Sequence, residues 1–181
     1  MVIVETLITA EQLLQMPAVE HCELVRGELI KMSPTGLEHG RVANRISVRL
    51  GLYVEQHQLG IVTTAEAGFQ IAHNPDSVRA PDVAFISAAR VPKNPLAGFF
   101  DGPPDLAVEV LSPNDRAGEV LAKIQELLQA GCRMVWLVDP VTQTVTVYHE
   151  RRNAQILSKQ DAISGDDLLP GFSMPVAEFF A

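Results

Sequence analysis

The sequence predicts an α/β fold in which a mixed central sheet is flanked by helices. Three observations carry that expectation. Two short apolar runs, 106–111 and 134–138, are separated by a helix-length segment, the spacing of a crossover between parallel strands. Apolar residues recur at helical spacing from His39 to about Gln58. Strand pairs with turn punctuation near 22–32 and 145–157 predict an N-terminal hairpin and a C-terminal hairpin extension. No internal repeat and no glycine- or serine-rich linker interrupts the chain, so residues 1–181 read as a single domain.

Taken in order, Thr9 and Gln12 form a capping box for a short helix that should end at Pro17. The run 22–32 should turn near Arg26-Gly27. In the long helix that follows, Val42, Ile46, Leu50, Tyr53 and Val54 share one stripe, and Gly60 should close it. Arg41, Arg45 and Arg49 recur every fourth residue beside that stripe. Such a ridge is either a solvated face or a phosphate-facing one. Strands are expected at 61–64 running on to 69–71, at 82–86 and at 106–111. The proline- and glycine-rich connection 87–104 is long enough to be functional. Ser112 and Pro113 should start the crossover helix, whose core face is Val120, Leu121, Ile124, Leu127 and Leu128, and Gly131 should stop it. After the strand 134–138 and the hairpin, the tail should be irregular, with one helical turn at 176–180.

A chain of 181 residues can bury a full core. The net charge of −8 argues against a general nucleic-acid-binding surface, unless the basic residues gather on one face. No leader pattern and no bilayer-length apolar run is present, which points to a cytoplasmic protein without membrane contact. Cys22 and Cys132 are far apart and read as reduced packing residues. His21, His57, His73 and His149 form no tight ligand pattern, which argues against zinc.

The chemistry lies in two acids set in apolar strands. Glu109 interrupts Leu106-Ala107-Val108-Glu109-Val110-Leu111, and Asp82 heads Asp82-Val83-Ala84-Phe85-Ile86. Burying an unpaired carboxylate costs several kcal/mol, so each acid needs a lysine, a metal ion or a raised pKa. Alternation along a strand puts Ala84 beside Asp82 and Ala107 beside Glu109, which leaves room for an ion. Magnesium takes one or two carboxylates plus waters and phosphate oxygens, so neighbouring strands would bring these acids together as its site. Lys123 lies just outside the apolar arc of the crossover helix, where its stem can cover the core and its ammonium can reach the acids. A structural cluster, in which lysine merely neutralises the acids, is the plain alternative.

The segments Cys22-Glu23-Leu24-Val25-Arg26-Gly27-Glu28-Leu29, Arg79-Ala80-Pro81-Asp82-Val83 and Pro104-Asp105-Leu106-Ala107-Val108-Glu109-Val110-Leu111-Ser112-Pro113 carry a resemblance. With His39, Lys123, Trp136-Leu137-Val138-Asp139-Pro140 and Leu169-Pro170-Gly171, they are similar to the Uma-type putative restriction endonucleases of the PD-(D/E)XK superfamily. The resemblance spans nearly the whole chain. It implies a restriction-endonuclease-like core and a metal-dependent endonuclease hydrolysing DNA phosphodiester bonds. It implies Mg²⁺ or Mn²⁺ on Asp82, Glu109 and the backbone carbonyl of Val110, with Lys123 as the catalytic lysine. In the usual motif the lysine follows the second acid by two residues. Here Leu111 stands there, and the resemblance places the lysine on the next helix. Glu23, His39 and Gln125 are accessory candidates, although an ion pair of Glu23 with Arg26 or Lys31 is the plainer reading. The arginine ridge would contact DNA, and cutting both strands of a duplex favours a homodimer. The rival is a catalytically inactive module of the same fold that binds nucleic acid or a protein partner.

Overall fold

A computed structural model describes residues 7–16, 22–93, 98–150 and 152–181. Pro17, His21 and part of the 87–104 connection lie outside the described residues. Helix α1 (Ala10–Gln15) precedes the hairpin β1 (Cys22–Val25) and β2 (Glu28–Lys31), and α2 (Leu37–Gln56) follows. Next come β3 (Gly60–Thr64), β4 (Phe69–Ala72), β5 (Ser77–Arg79), β6 (Val83–Ser87), β7 (Phe100–Asp101) and β8 (Leu106–Val110). Helix α3 (Ala117–Gln129) leads to β9 (Met134–Asp139), β10 (Thr144–His149) and β11 (Arg152–Leu157). Strands β12 (Ala162–Gly165) and β13 (Leu169–Pro175) and the turn α4 (Ala177–Phe180) complete the described chain.

Among the described residues the central sheet has the order β11-β10-β9-β8-β6-β3. It is mixed, as expected: β8 and β9 run parallel across the α3 crossover, and the other pairs are antiparallel. The two faces differ. Val42, Ile46, Leu50 and Val54 of α2 pack with Val83, Phe85, Val108 and Trp136 in the larger core. On the opposite face Ile124 and Leu127 of α3 cover Ala107 and Val135. A central strand covered on both sides must be apolar on both sides, which is why the β8 run reads as continuous.

A second sheet, β2-β1-β5-β4-β7, adds to the single central sheet that the sequence predicts. The expected continuous strand through 61–71 divides, because Ala65 and Glu66 turn the chain and Glu66 takes φ 84°. Strand β3 then stays in the central sheet and β4 crosses to the second one. The hairpin turn is where the sequence puts it, with Arg26 at φ 51° and Gly27 at φ 83°, the left-handed pair that a two-residue hairpin loop uses.

Three further boundaries correct the sequence reading. Helix α2 ends at Gln56, and Gln58, not Gly60, takes the left-handed conformation. Helix α3 begins at Ala117, because the Asp115 carboxylate accepts the Ser112 amide at 2.7 Å and holds 112–115 as a turn. Leu121 is accordingly exposed. The tail is a hairpin, β12 with β13, and its Ile163, Phe172 and Met174 join the larger core.

Gly60 has a different task. At φ 151° it opens β3 against β6, and a Cβ there would lie 2.0 Å from the Ile86 carbonyl oxygen. Gly60→Ala should therefore lower stability by about 1–3 kcal/mol from backbone strain alone, before any displacement of β3. Urea denaturation read by Trp136 fluorescence measures this, and an unchanged midpoint would refute the close approach.

Candidate active site

Strand pairing fixes the two acids. The β6–β8 register joins Val83 to Val108 and Ala84 to Ala107, and its continuation sets Asp82 opposite Glu109. The Asp82 side chain reaches His39 of α2, whereas that of Glu109 reaches Lys123 of α3. Asp82 stands just before β6 rather than within it. Its Oδ2 accepts the Val110 amide at 2.8 Å and lies 3.1 Å from His39 Nε2. His39 comes from the first turn of α2 and is buried. Burial opposes its protonation, yet the hydrogen bond and charge of Asp82 carry its pKa above the ordinary histidine value.

Glu109 is met from the other side. Lys123 of α3 brings Nζ within 2.8 Å of each Glu109 oxygen, and the hydrogen bond runs to Oε2. Oε1 is fully enclosed, with the same ammonium as its neighbouring cation. Burial pushes Glu109 up to about 8 against the opposing charge of Lys123, and the charge of Asp82 adds to the rise. Lys123 moves upward as well: the carboxylates of Glu109 and Glu23 outweigh its own burial, which keeps the ammonium charged.

The same ammonium touches a third acid. Glu23 of β1 is 3 % exposed, and its Oε1 lies 2.9 Å from Lys123 Nζ. Oε1 also accepts the Ala80 amide at 2.9 Å, and Oε2 takes Arg79 Nη1 at 2.7 Å. Arg79 turns its remaining fork to Glu126 of α3, with Nη2 at 2.5 Å and Nε at 3.0 Å from Oε2. The expected pairing of Glu23 with Arg26 or Lys31 is therefore corrected. Strand β1 pairs with β5 through Leu24 and Val78, which sets Glu23 beside Arg79 and under α3. Arg79 and Glu126 escaped the sequence reading. The available signals were a lone arginine in the Ser77-Val78-Arg79 run and the three-residue spacing of Lys123 and Glu126 on one helix face.

Two cavities flank the acids. The larger, about 950 Å³, is lined by Ser33, His39, Asn44, Ser47, Thr64 and Asp82. The smaller, about 140 Å³, is lined by Glu23, Arg79, Glu109, Val110, Asp115 and Lys123. Asp82 thus opens into the larger cavity and Glu109 into the smaller.

The remaining candidates fall elsewhere. Gln125 is exposed and lines neither cavity, because two helical residues turn it about 200° from Lys123. The arginine ridge does not face the acids. Arg41 binds Glu38 and the carbonyls of Phe180 and Ala181, Arg45 reaches the Glu178 carbonyl, and Arg49 pairs with the Glu178 carboxylate. The C-terminal turn α4 has taken the ridge as its seat.

A profile of the Uma2 family, described as "Putative restriction endonuclease", matches residues 10–177. The chain belongs to the Uma2 family. Among solved structures, a "putative nuclease belonging to DUF820" from Anabaena variabilis ATCC 29413 superposes with a TM-score of 0.85. It is 22 % identical, and the match covers 96 % of this chain and 97 % of that one, so the fold is shared along its length. No curated protein matches the chain. No described helix is long and apolar enough to cross a membrane.

Whether this Uma2 site suits a divalent ion follows from its donors. Among the described residues no three His, Cys, Asp or Glu side chains converge as a cage. Two carboxylates suffice for magnesium or manganese, which keep waters and take phosphate oxygens. Both hydrogen bonds to Asp82 fall on Oδ2, which leaves Oδ1 for a ligand, and burial holds the Glu109 pKa high. These are sites a cation would relieve. The residues fit the ion.

Proposed function

We propose that this Uma2 protein is a metal-dependent endonuclease that hydrolyses phosphodiester bonds in DNA. The observation that carries the reading is the register of Asp82 opposite Glu109, with the Lys123 ammonium seated on Glu109. Membership in a family of putative restriction endonucleases supports nuclease chemistry in general. Asp82, Glu109 and the Val110 carbonyl would hold Mg²⁺ or Mn²⁺. Such an ion supplies Lewis-acid stabilisation of charge on a phosphoryl oxygen.

The protein's own groups do the rest. His39 and the Val110 amide hold Asp82 by one oxygen, which fixes the direction of the other. The Lys123 ammonium, kept charged by two carboxylates, orients the attacking water and stabilises negative charge as phosphorus becomes five-coordinate. The water oxygen bonds to phosphorus and gives up a proton to solvent, the bond from phosphorus to the leaving deoxyribose oxygen breaks, and that oxygen takes a proton from solvent. With the arginine ridge bound to α4, flanking contacts would come from the polar walls of the larger cavity.

That engaged ridge, together with the net charge of −8, also favours a second reading, an inactive module of the same fold. One experiment separates them. Plasmid DNA incubated with the protein and Mg²⁺ or Mn²⁺ should be nicked or linearised, and EDTA should stop cleavage. Calorimetry should find Mn²⁺ binding that Glu109→Ala abolishes. Absence of both cleavage and Glu109-dependent binding would establish the module.

A further inference from the structure

The motif's departure leaves a mechanical problem. A lysine two residues after the second acid would be aimed by the strand itself, but Lys123 reaches the site from a helix on a long flexible stem. A stem of that length loses much rotamer freedom when fixed, so something must hold it. The charged groups that meet Lys123 supply the device. Its ammonium touches Glu23 at 2.9 Å, Glu23 touches Arg79 at 2.7 Å, and Arg79 returns to Glu126, three residues beyond Lys123 on the same helix. The chain of charges starts and ends on α3.

We propose that Glu23 and Arg79 are positioning residues, a two-residue brace from the second sheet that aims Lys123 at Glu109. The inference rests on the reading of Lys123 as a participant in phosphodiester hydrolysis and extends it to residues outside the acid–acid–lysine set. Each member is anchored in turn. Glu23 is oriented by the Ala80 amide on one oxygen and Arg79 on the other, so its carboxylate cannot rotate away from Lys123. Arg79 divides its planar fork between two acids, a geometry a lysine cannot reproduce. Glu126 ties the brace to the helix, so α3 cannot rotate by one residue, about 100°, without losing both ends. Buried ion pairs add little stability over apolar packing, which leaves geometry as the reason for burying Glu23 and Arg79 here.

The test uses Glu23→Gln, which keeps the shape and an oxygen for the Ala80 amide but loses the charge. The first readout needs neither metal nor substrate. Acetylation of lysines, followed by mass spectrometry, should modify Lys123 several-fold faster in this variant than in the parent. The exposed Lys93 and Lys159 serve as unchanged references. The second readout is kinetic. Glu23→Gln should lower kcat by about tenfold to a hundredfold, the scale of a misplaced group, with KM nearly unchanged. In the Lys123→Ala background it should cost nothing more, since its effect passes through the lysine. Glu126→Gln, at the more exposed end of the brace, should act in the same direction with smaller amplitude and serves if Glu23→Gln fails to fold. Unchanged Lys123 acetylation in the variants, or losses that multiply in the double variant, would overturn the brace. A parent protein inert toward every nucleic acid would instead overturn the nuclease reading, while acetylation still decides whether Glu23 holds Lys123.

Discussion

Lys123→Ala should reduce DNA cleavage by about 10²–10³-fold, the scale seen when one preorganised charge-stabilising donor is removed from an active site. The ammonium is the only cation in contact with Glu109 among the described residues, so no neighbour inherits its place. Mn²⁺ affinity should not fall with it. Removing the ammonium frees both Glu109 oxygens for a cation, so calorimetry should find binding equal to or tighter than that of the parent. This combination separates a catalytic lysine from a counter-ion. A variant that cleaves at nearly the parent rate, or that loses metal and activity together, would withdraw Lys123 from the chemistry.

The second large effect is on stability. Arg79→Ala should cost about 3–5 kcal/mol, the penalty for removing one partner of a buried pair. Arg79 is buried between Glu23 and Glu126, and Glu23 itself is almost fully enclosed. Without the guanidinium, Lys123 alone must serve both Glu23 and Glu109. The melting temperature should fall on the order of 10 °C for a domain of this size. Replacing Glu23 and Arg79 together by leucine and methionine should recover much of the loss, because the enclosed Glu23 carboxylate is gone and only the partly exposed Glu126 loses its partner. A single variant within about 1 kcal/mol of the parent, the range of an exposed pair, would show that water reaches the cluster.

Much of this architecture was legible because it obeys local periodicities. The stripe of Val42, Ile46, Leu50 and Val54 repeats at the spacing of a helix and is buried as one face. The capping box of Thr9 and Gln12 closes within four consecutive residues. Glu109 was conspicuous because a charge within a doubly covered strand demands compensation, and Lys123 was found by its angle on a helix. Where the reading failed, a longer-range competitor had prevailed. Ser112 and Pro113 have the chemistry of a helix start, but the Asp115 carboxylate captures the Ser112 amide and delays α3 to Ala117. The arginine ridge was visible as a pattern, but its partner is α4, more than a hundred residues further along the chain.

The amino-acid sequence alone determined that this is an α/β chain with two acids on apolar strands and a lysine on the crossover helix, because strand and helix periods are written in neighbouring residues. Tertiary structure decided who meets whom. It set Asp82 opposite Glu109 by the β6–β8 register, and it brought Glu23 and Arg79 from the second sheet onto Lys123. It also turned the basic ridge away from the acids. An ion pair depends on distance in space, and the partners of Lys123 and Arg79 are chosen by the packing of two sheets around α3, which no local period encodes.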